Sequence, residues 1–350
     1  MNDSNRPAWV ADPRIGWRIL LTAELPAPAD PAALTVHLAK LASDQRWPAL
    51  PAPRADDSLD RLQAALLAPH AEPLLVGVSG RHLVLSAHHS AVDGLSLLTV
   101  LGRLGLAPVT SAARGVGDRT TTGGVARTVG RRLGEVAFRP PAAVTPPSGP
   151  VPEAGDVLVE STVRGSHRTA AIVAAAARAV VDHEAARGRA ARHVAVAVGA
   201  VREQKGGGAI GDHSVLLRLR DVERLDTDGI AAALAQAPVQ TPPVSTEPRP
   251  WTPLTARATR TGLRLLAPRL GSTLLVSHLG EVTAPHVDRL VFHPVTAGGS
   301  GISLGAVGLR GDTVLTLRAR AASWNDDGLE QLLEAIISLL REESGASDGQ

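Results

Sequence analysis

Cysteine and tyrosine are absent from this 350-residue sequence, phenylalanine occurs twice, and lysine occurs only as Lys40 and Lys205. Without cysteine there is no disulfide, no thiolate zinc site and no cysteine nucleophile. With aromatic residues at 2%, the core must be built from Leu, Val, Ile and Ala. The formal net charge is +2, and a near-neutral chain with so few aromatics has little with which to hold nucleic acid. No uninterrupted apolar run is long enough to span a bilayer, so no membrane insertion is expected. The first residues, Met1 to Pro7, are polar and carry no apolar signal core. The expectation is a soluble, cytoplasmic protein.

What is present is ordinary for a globular chain: 44% hydrophobic and 20% charged residues. The length suits one large domain or two moderate ones, with room for a substantial core. Residues 15–25 read as a strand centred on Ile19, Leu20 and Leu21. Pro26, Pro28 and Pro31 break it, and Leu34, Val36, Leu38 and Leu41 then fall near helical spacing over 31–43. A second helix is predicted over 58–67. Two apolar runs, Leu74 to Val78 and His82 to Ala87, are split by Ser79-Gly80-Arg81 and read as a hairpin. Gly94 to Leu106 reads as a helix with Leu95, Leu98, Leu101 and Leu104 on one face.

Prolines 140, 141, 146, 147, 150 and 152 exclude a helix or a central strand over 139–153. The expected division is therefore an N-terminal subdomain over 1–138, a Pro-rich linker over 139–155 and a C-terminal subdomain over 156–345. The second part holds predicted strands at 157–163, 193–201, 214–219, 274–277, 291–293, 302–309 and 313–318. It also holds a long Ala-rich helix from Thr169 to about Arg187 and an amphipathic helix over 328–341. A second Pro-rich stretch covers 238–253. The fold class this implies is α/β, in two subdomains of similar size.

Chemistry concentrates in Ser86-Ala87-His88-His89-Ser90-Ala91-Val92-Asp93-Gly94. An apolar strand leads into it and an apolar helix leaves it, so the two histidines sit on a turn at a strand end. An imidazole held neutral near pH 7 in such a place takes a proton from an amine or alcohol attacking a carbonyl. Asp93, four residues after His89, is placed to fold back and fix the loop through a salt bridge. Gly94 leaves room for a close approach to the backbone. Its N–H, at the start of the next helix, favours developing negative charge. A metal site is not expected: adjacent histidines point apart, and no further ligand cluster is visible.

The spacing His88-His89-x-x-x-Asp93-Gly94 resembles the HHxxxDG motif of the chloramphenicol-acetyltransferase-like superfamily, which includes the condensation domains of nonribosomal peptide synthetases. Arg46-Trp47-Pro48-Ala49-Leu50-Pro51 is similar to the family's Arg-His-Pro-x-Leu-Arg stretch, with Trp47 and Pro51 as departures. Ser277-His278-Leu279-Gly280 is similar to its Ser-Asn-x-Gly strand end, with His278 in place of Asn.

The resemblance implies two α/β subdomains with an active-site tunnel between them. It implies His89 as general base, with His88 supporting, Asp93 structural and Gly94 keeping the tunnel open. By the same likeness Ser277, His278 and Gly280 line the substrate, and Asp93 pairs with an arginine, either Arg202 or Arg46. The implied donor is acyl-CoA or an acyl or peptidyl carrier protein. The thioester on CoA or phosphopantetheine is then a substrate, and neither metal nor redox cofactor is needed. The implied acceptor is a small-molecule amine or alcohol, in natural-product biosynthesis. The alternatives are a condensation-like domain repurposed for cyclisation, epimerisation or dehydration, and a non-catalytic domain that recruits a carrier protein.

Three weaker features stand apart from the motif. Arg127, Arg131, Arg132 and Arg139 form a basic cluster that suits an acidic helix or CoA phosphates, or a solvated helix face. Gly206-Gly207-Gly208 lacks the rest of a phosphate-loop pattern. Gly298-Gly299-Ser300-Gly301 reads as a loop.

Overall fold

Short polar residues and prolines mark where the elements begin. The structure is a computed structural model describing residues 17–117, 138–147, 155–202, 209–240, 271–296 and 301–347. Strand β1 (Arg18–Glu24) is followed by helix α1 (Pro31–Gln45), which Asp30 caps by accepting from Ala32 N at 2.9 Å. Pro31 sits at its first position, where a missing N–H costs nothing. Leu34, Leu38 and Leu41 form its buried stripe, and Arg46 ends it in the left-handed conformation. After β2 (Arg54–Ala55), Ser58 caps α2 (Leu59–Leu67). The expected hairpin is present as β3 (Leu74–Ser79) and β4 (His82–His88), turning through Gly80 at φ 54.

Helix α3 (Gly94–Leu101) is shorter than its sequence pattern, because it widens into a π turn over Gly102–Leu106. Gly105 has φ 100 there, a conformation that cannot continue a right-handed helix. β5 (Thr110–Ser111) follows.

Beyond the Pro-rich stretch come β6 (Asp156–Arg164), α4 (Thr169–Ala185), β7 (Val196–Val201), β8 (Ser214–Leu219), α5 (Thr227–Gln236) and β9 (Val239–Gln240). The chain closes with β10 (Leu274–Thr283), β11 (Arg289–His293), β12 (Ile302–Leu309), β13 (Asp312–Arg320) and α6 (Asp326–Ser347).

Two sheets result. The first has the order β11-β1-β4-β3-β2 and the second β6-β13-β12-β10-β7-β8-β9, with β5 added beside β10. The expected α/β class with two subdomains is therefore present. The two halves also exchange strands. β11, from the second half of the chain, pairs antiparallel with β1, and β5, from the first half, pairs with β10.

Strand alternation assigns each face. On one face of the first sheet, Ile19, Leu21, Leu83, Leu85 and Ala87 pack on α1 and α3 and reach Leu279, Val307 and Val314 of the second sheet. On the other face, Leu20 and Val84 pack on Leu62 and Leu66 of α2. The far face of the second sheet is covered by α4 and α6, through residues such as Ile172, Val173, Ile336 and Leu340. The first face, shared by both subdomains, is the seam on which the motif sits.

A buried arginine also ties the sheets together. Arg318 of β13 is paired to Asp156 at 2.6 and 2.8 Å, and its guanidinium donates to Arg18 O at 2.7 Å and Pro294 O at 3.1 Å. A buried cation is tolerated only when paired and hydrogen-bonded in this way.

Candidate functional site

Alternation along β4 separates the two histidines of the motif. Ser86 Oγ donates to Leu66 O of α2, so the side chain of His88, two residues on, lies on that same α2 side. His88 is buried, and its Nδ1 accepts from Ser90 N at 3.3 Å. Ser90 Oγ lies 2.7 Å from the same nitrogen. A ring nitrogen that accepts an N–H carries no proton, so the ring is neutral with its hydrogen on Nε2. Burial first, and then the charges of Arg18 and His89, hold His88 below the ordinary histidine range. Arg18, itself buried and pushed down to about 10 by burial, binds Ser86 Oγ, Ser86 O and Glu72 O. His88 thus belongs to a packed polar cluster behind the strand.

His89 leaves the strand and is partly open to solvent. Its backbone N–H donates to Trp17 O at 2.7 Å, and its ring Nδ1 stands 3.8 Å from Asp212 Oδ1.

Asp93 caps α3: its Oδ1 accepts from Ser96 N at 2.7 Å. Its Oδ2 accepts from His213 N at 2.9 Å, and its own N–H donates to Gly211 O at 2.9 Å. Ser96 Oγ adds a bond to Gly211 O at 3.0 Å. The expected ion pair with Arg202 or Arg46 is therefore replaced. Among the described residues Asp93 has no arginine partner. Arg46 is exposed and serves as the left-handed end of α1, while Arg202 is exposed and meets the 211–213 segment only through its backbone, donating to His213 O at 3.0 Å. Two backbone amides, one of them in the first turn of α3, satisfy the carboxylate where a cation was expected.

Gly94 is a packing requirement. A Cβ there would lie 2.7 Å from Leu279 Cδ2 of β10 and 3.2 Å from Phe292 Cζ of β11, so side chains from both sheets close directly over this residue. What approaches the backbone is core, where the sequence reading placed open tunnel.

The second stretch divides in the same way as the first. Leu275 and Leu279 pack with the seam core, so Ser277, between them on β10, faces the seam. His278 points to the opposite face, where its Nδ1 meets Thr169 Oγ1 of α4 at 3.0 Å. Burial, helped by the charge of His167, lowers His278 to about 4, so it stays neutral. Gly280 has φ 74 at a register shift in β10, and a Cβ there would sit 2.8 Å from Ala113 N. It forms a bulge pressed against another segment. Of the three expected substrate-lining residues, Ser277 alone shares a face with the motif helix.

Asp212 and the 211–213 segment are the residues that sequence reasoning missed. They lie about 120 positions from the motif and have no local pattern of their own.

One group of metal-ligand type occurs among the described residues: His193, Asp221 and Glu223. Glu223 already accepts from the backbone N–H of His193 and of Val194, and Asp221 binds His193 Nδ1 at 2.6 Å and Arg139. It is a clasp that fastens the Pro-rich stretch to the start of β7. Arg139 is thereby engaged. Arg127, Arg131, Arg132, the Gly206–Gly208 run and Gly298 to Ser300 lie outside the described residues. No described helix is long and apolar enough to cross a membrane.

No protein-family model matches the sequence, and no curated protein does either. Solved structures match it by shape. The starter condensation domain of rhizomide synthetase RzmA, in complex with C8-CoA, superposes with a TM-score of 0.57 at 14% identity, covering 95% of this chain and 90% of that one. The cyclization-docking bidomain of the EpoB nonribosomal peptide synthetase from Sorangium cellulosum gives 0.54 at 16% identity, covering 93% and 80%. The epimerization domain from the third module of tyrocidine synthetase B gives 0.50 at 13% identity, covering 95% and 93%. At these identities the likeness is one of fold: the chain has the two-subdomain fold of condensation-type domains, as the HHxxxDG resemblance implied.

Proposed function

We propose that this protein is a thioester-dependent acyltransferase of condensation type, with His89 as its general base. The observation that carries this reading is the placement of His89. It stands at the end of a central strand, on the seam between two condensation-type subdomains, partly open and beside a carboxylate. The RzmA domain similar to it binds C8-CoA, which supports an acyl thioester as donor.

In the reaction, an amine or hydroxyl acceptor gives its proton to Nε2 of His89 as its lone pair attacks the thioester carbonyl. The tetrahedral intermediate then collapses, the C–S bond breaks, and the leaving thiolate takes the proton back from Nε2. Every proton and electron pair is accounted for without metal or redox cofactor. The donor is an acyl-CoA or an acyl or peptidyl carrier protein, the acceptor a small molecule, and the setting natural-product assembly in the cytoplasm.

A panel of acyl-CoA and acyl-carrier thioesters offered with mixed amines and alcohols tests this. The expected product has the mass of the acyl group joined to the acceptor, and His89→Ala abolishes it. A second reading has specific support, since a cyclization domain and an epimerization domain share the fold. A product without a new intermolecular amide or ester bond would select that reading. Equal carrier-protein binding by both proteins, with no turnover by either, would select a recruitment role.

A further inference from the structure

A base at Nε2 requires that the other ring nitrogen, Nδ1, keep its hydrogen. Nothing in the HHxxxDG stretch supplies that constraint. His88 faces the α2 side, and the carboxylate of Asp93 is committed to Ser96 N and His213 N. The group facing Nδ1 of His89 is Asp212, at 3.8 Å.

Asp212 is held in that place by the motif itself. The residue before it, Gly211, accepts from Asp93 N at 2.9 Å and from Ser96 Oγ at 3.0 Å. The residue after it, His213, donates its N–H to Asp93 Oδ2 and accepts from Arg202 N. Its own Oδ1 is fixed by Ser214 N at 3.0 Å and by Ser214 Oγ. A carboxylate accepts further bonds at its remaining lone pairs. His89 is pinned on its side by its backbone bond to Trp17 O. Both groups thus project from anchored backbone. At 3.8 Å the two groups are within ion-pair range and longer than a hydrogen bond, as catalytic contacts often are before substrate binds.

We propose that Asp212 is a positioning residue for His89: its carboxylate holds the Nδ1–H tautomer, leaving Nε2 to receive the acceptor's proton. Asp93 acts one step further back, by fixing the segment that carries Asp212. Among the described residues, His88, with Arg18 behind it, is the other titratable group coupled to His89, and its side chain lies on the α2 side of the strand. The inference rests on the acyl-transfer reading for its catalytic meaning, but its decisive measurement does not.

That measurement is the ring-nitrogen NMR spectrum of protein labelled in histidine with nitrogen-15, with His89 assigned by its loss in His89→Ala. Wild type is expected to show the Nδ1–H tautomer. Asp212→Asn, which keeps an acceptor for Ser214, is expected to shift the population toward Nε2–H, and Asp212→Glu to restore it. With a productive substrate pair, kcat falls roughly 10- to 100-fold in Asp212→Asn, at the low end of what acid–base assistance supplies, while KM changes less than about threefold. Asp212→Glu recovers most of the rate. If Asp212→Asn does not fold, Asp212→Ser is read in the same way. An unchanged tautomer population in the variant overturns the proposal, whatever the rate does. Absence of transfer in wild type overturns the acyl-transfer reading alone, because the ring signal still decides the role of Asp212.

Discussion

At the scale of single residues, the proposed reading divides the motif between chemistry, at His89, and architecture, at Asp93 and Gly94. His89 is partly open, so His89→Ala is expected to cost on the order of 10²- to 10⁴-fold in kcat with little change in unfolding free energy. Asp93 is architectural. Asp93→Ala removes a helix cap and strands the partly buried amide of His213. A loss of about 2–4 kcal/mol is expected in urea unfolding. Arg202→Ala, at an exposed side chain, is expected to change stability by about 0.5 kcal/mol or less. An effect of Arg202→Ala equal to that of Asp93→Ala would restore the ion pair that the structure replaces.

The buried histidines make stability pH-dependent. His293, buried and beside the charges of Arg318 and Arg289, is lowered to about 3, and His278 to about 4, from an ordinary 6.5. Between those values the unfolded chain binds protons that the folded chain refuses. Stability is therefore full above about pH 6.5 and falls as the pH drops, levelling off only near pH 3 to 4. The loss between pH 7 and pH 5 is on the order of 2 kcal/mol per histidine. Denaturant titrations at the two pH values check it, and His293→Leu is expected to remove its share. The four motif residues were legible in the sequence because their spacing is a pattern. The distant partner of Asp93 was not legible, because a backbone amide serves as donor whatever its side chain, and that of His213 lies 120 positions away.

At the scale of elements, most of the pattern was readable, since burial imposes it. Ile19 to Leu21 form a central strand covered on both faces, and Leu34, Leu38 and Leu41 mark the core stripe of α1. Where the sequence misled, one backbone conformation decides. Gly105 at φ 100 closes α3 early, although Leu104 continues the apolar stripe. Gly280 at φ 74 lets β10 run on to Thr283 through a bulge, where the apolar run alone predicted an end at Ser277. The two-residue strands β2, β5 and β9 are too short to carry a period. At Gly280 both the conformation and the neighbouring Ala113 exclude a side chain. Gly280→Ala is expected to cost more than about 2 kcal/mol, measured by thermal or urea unfolding. A neutral Gly280→Ala would mean that the bulge is free to relax.

At the scale of the whole molecule, the Pro-rich stretch was readable as a divider, but the exchange of strands across it was not. β11 completes the first sheet from the second half of the chain, and Arg318 joins the sheets through Arg18 O. Both are long-range pairings that no local spacing reports. They bring the end of β4, the cap of α3 and the 211–213 segment to one seam, where His89 meets Asp212. The central claim is that His89 at this seam moves the proton of an acyl transfer. The direct test follows thiol release and product mass together for wild type and His89→Ala, with one acyl thioester and one accepted acceptor. The account predicts matched thiol and acylated product in wild type, and a rate lower by at least about 10²-fold in the folded variant. Wild-type rates of acylated product from His89→Ala would contradict it.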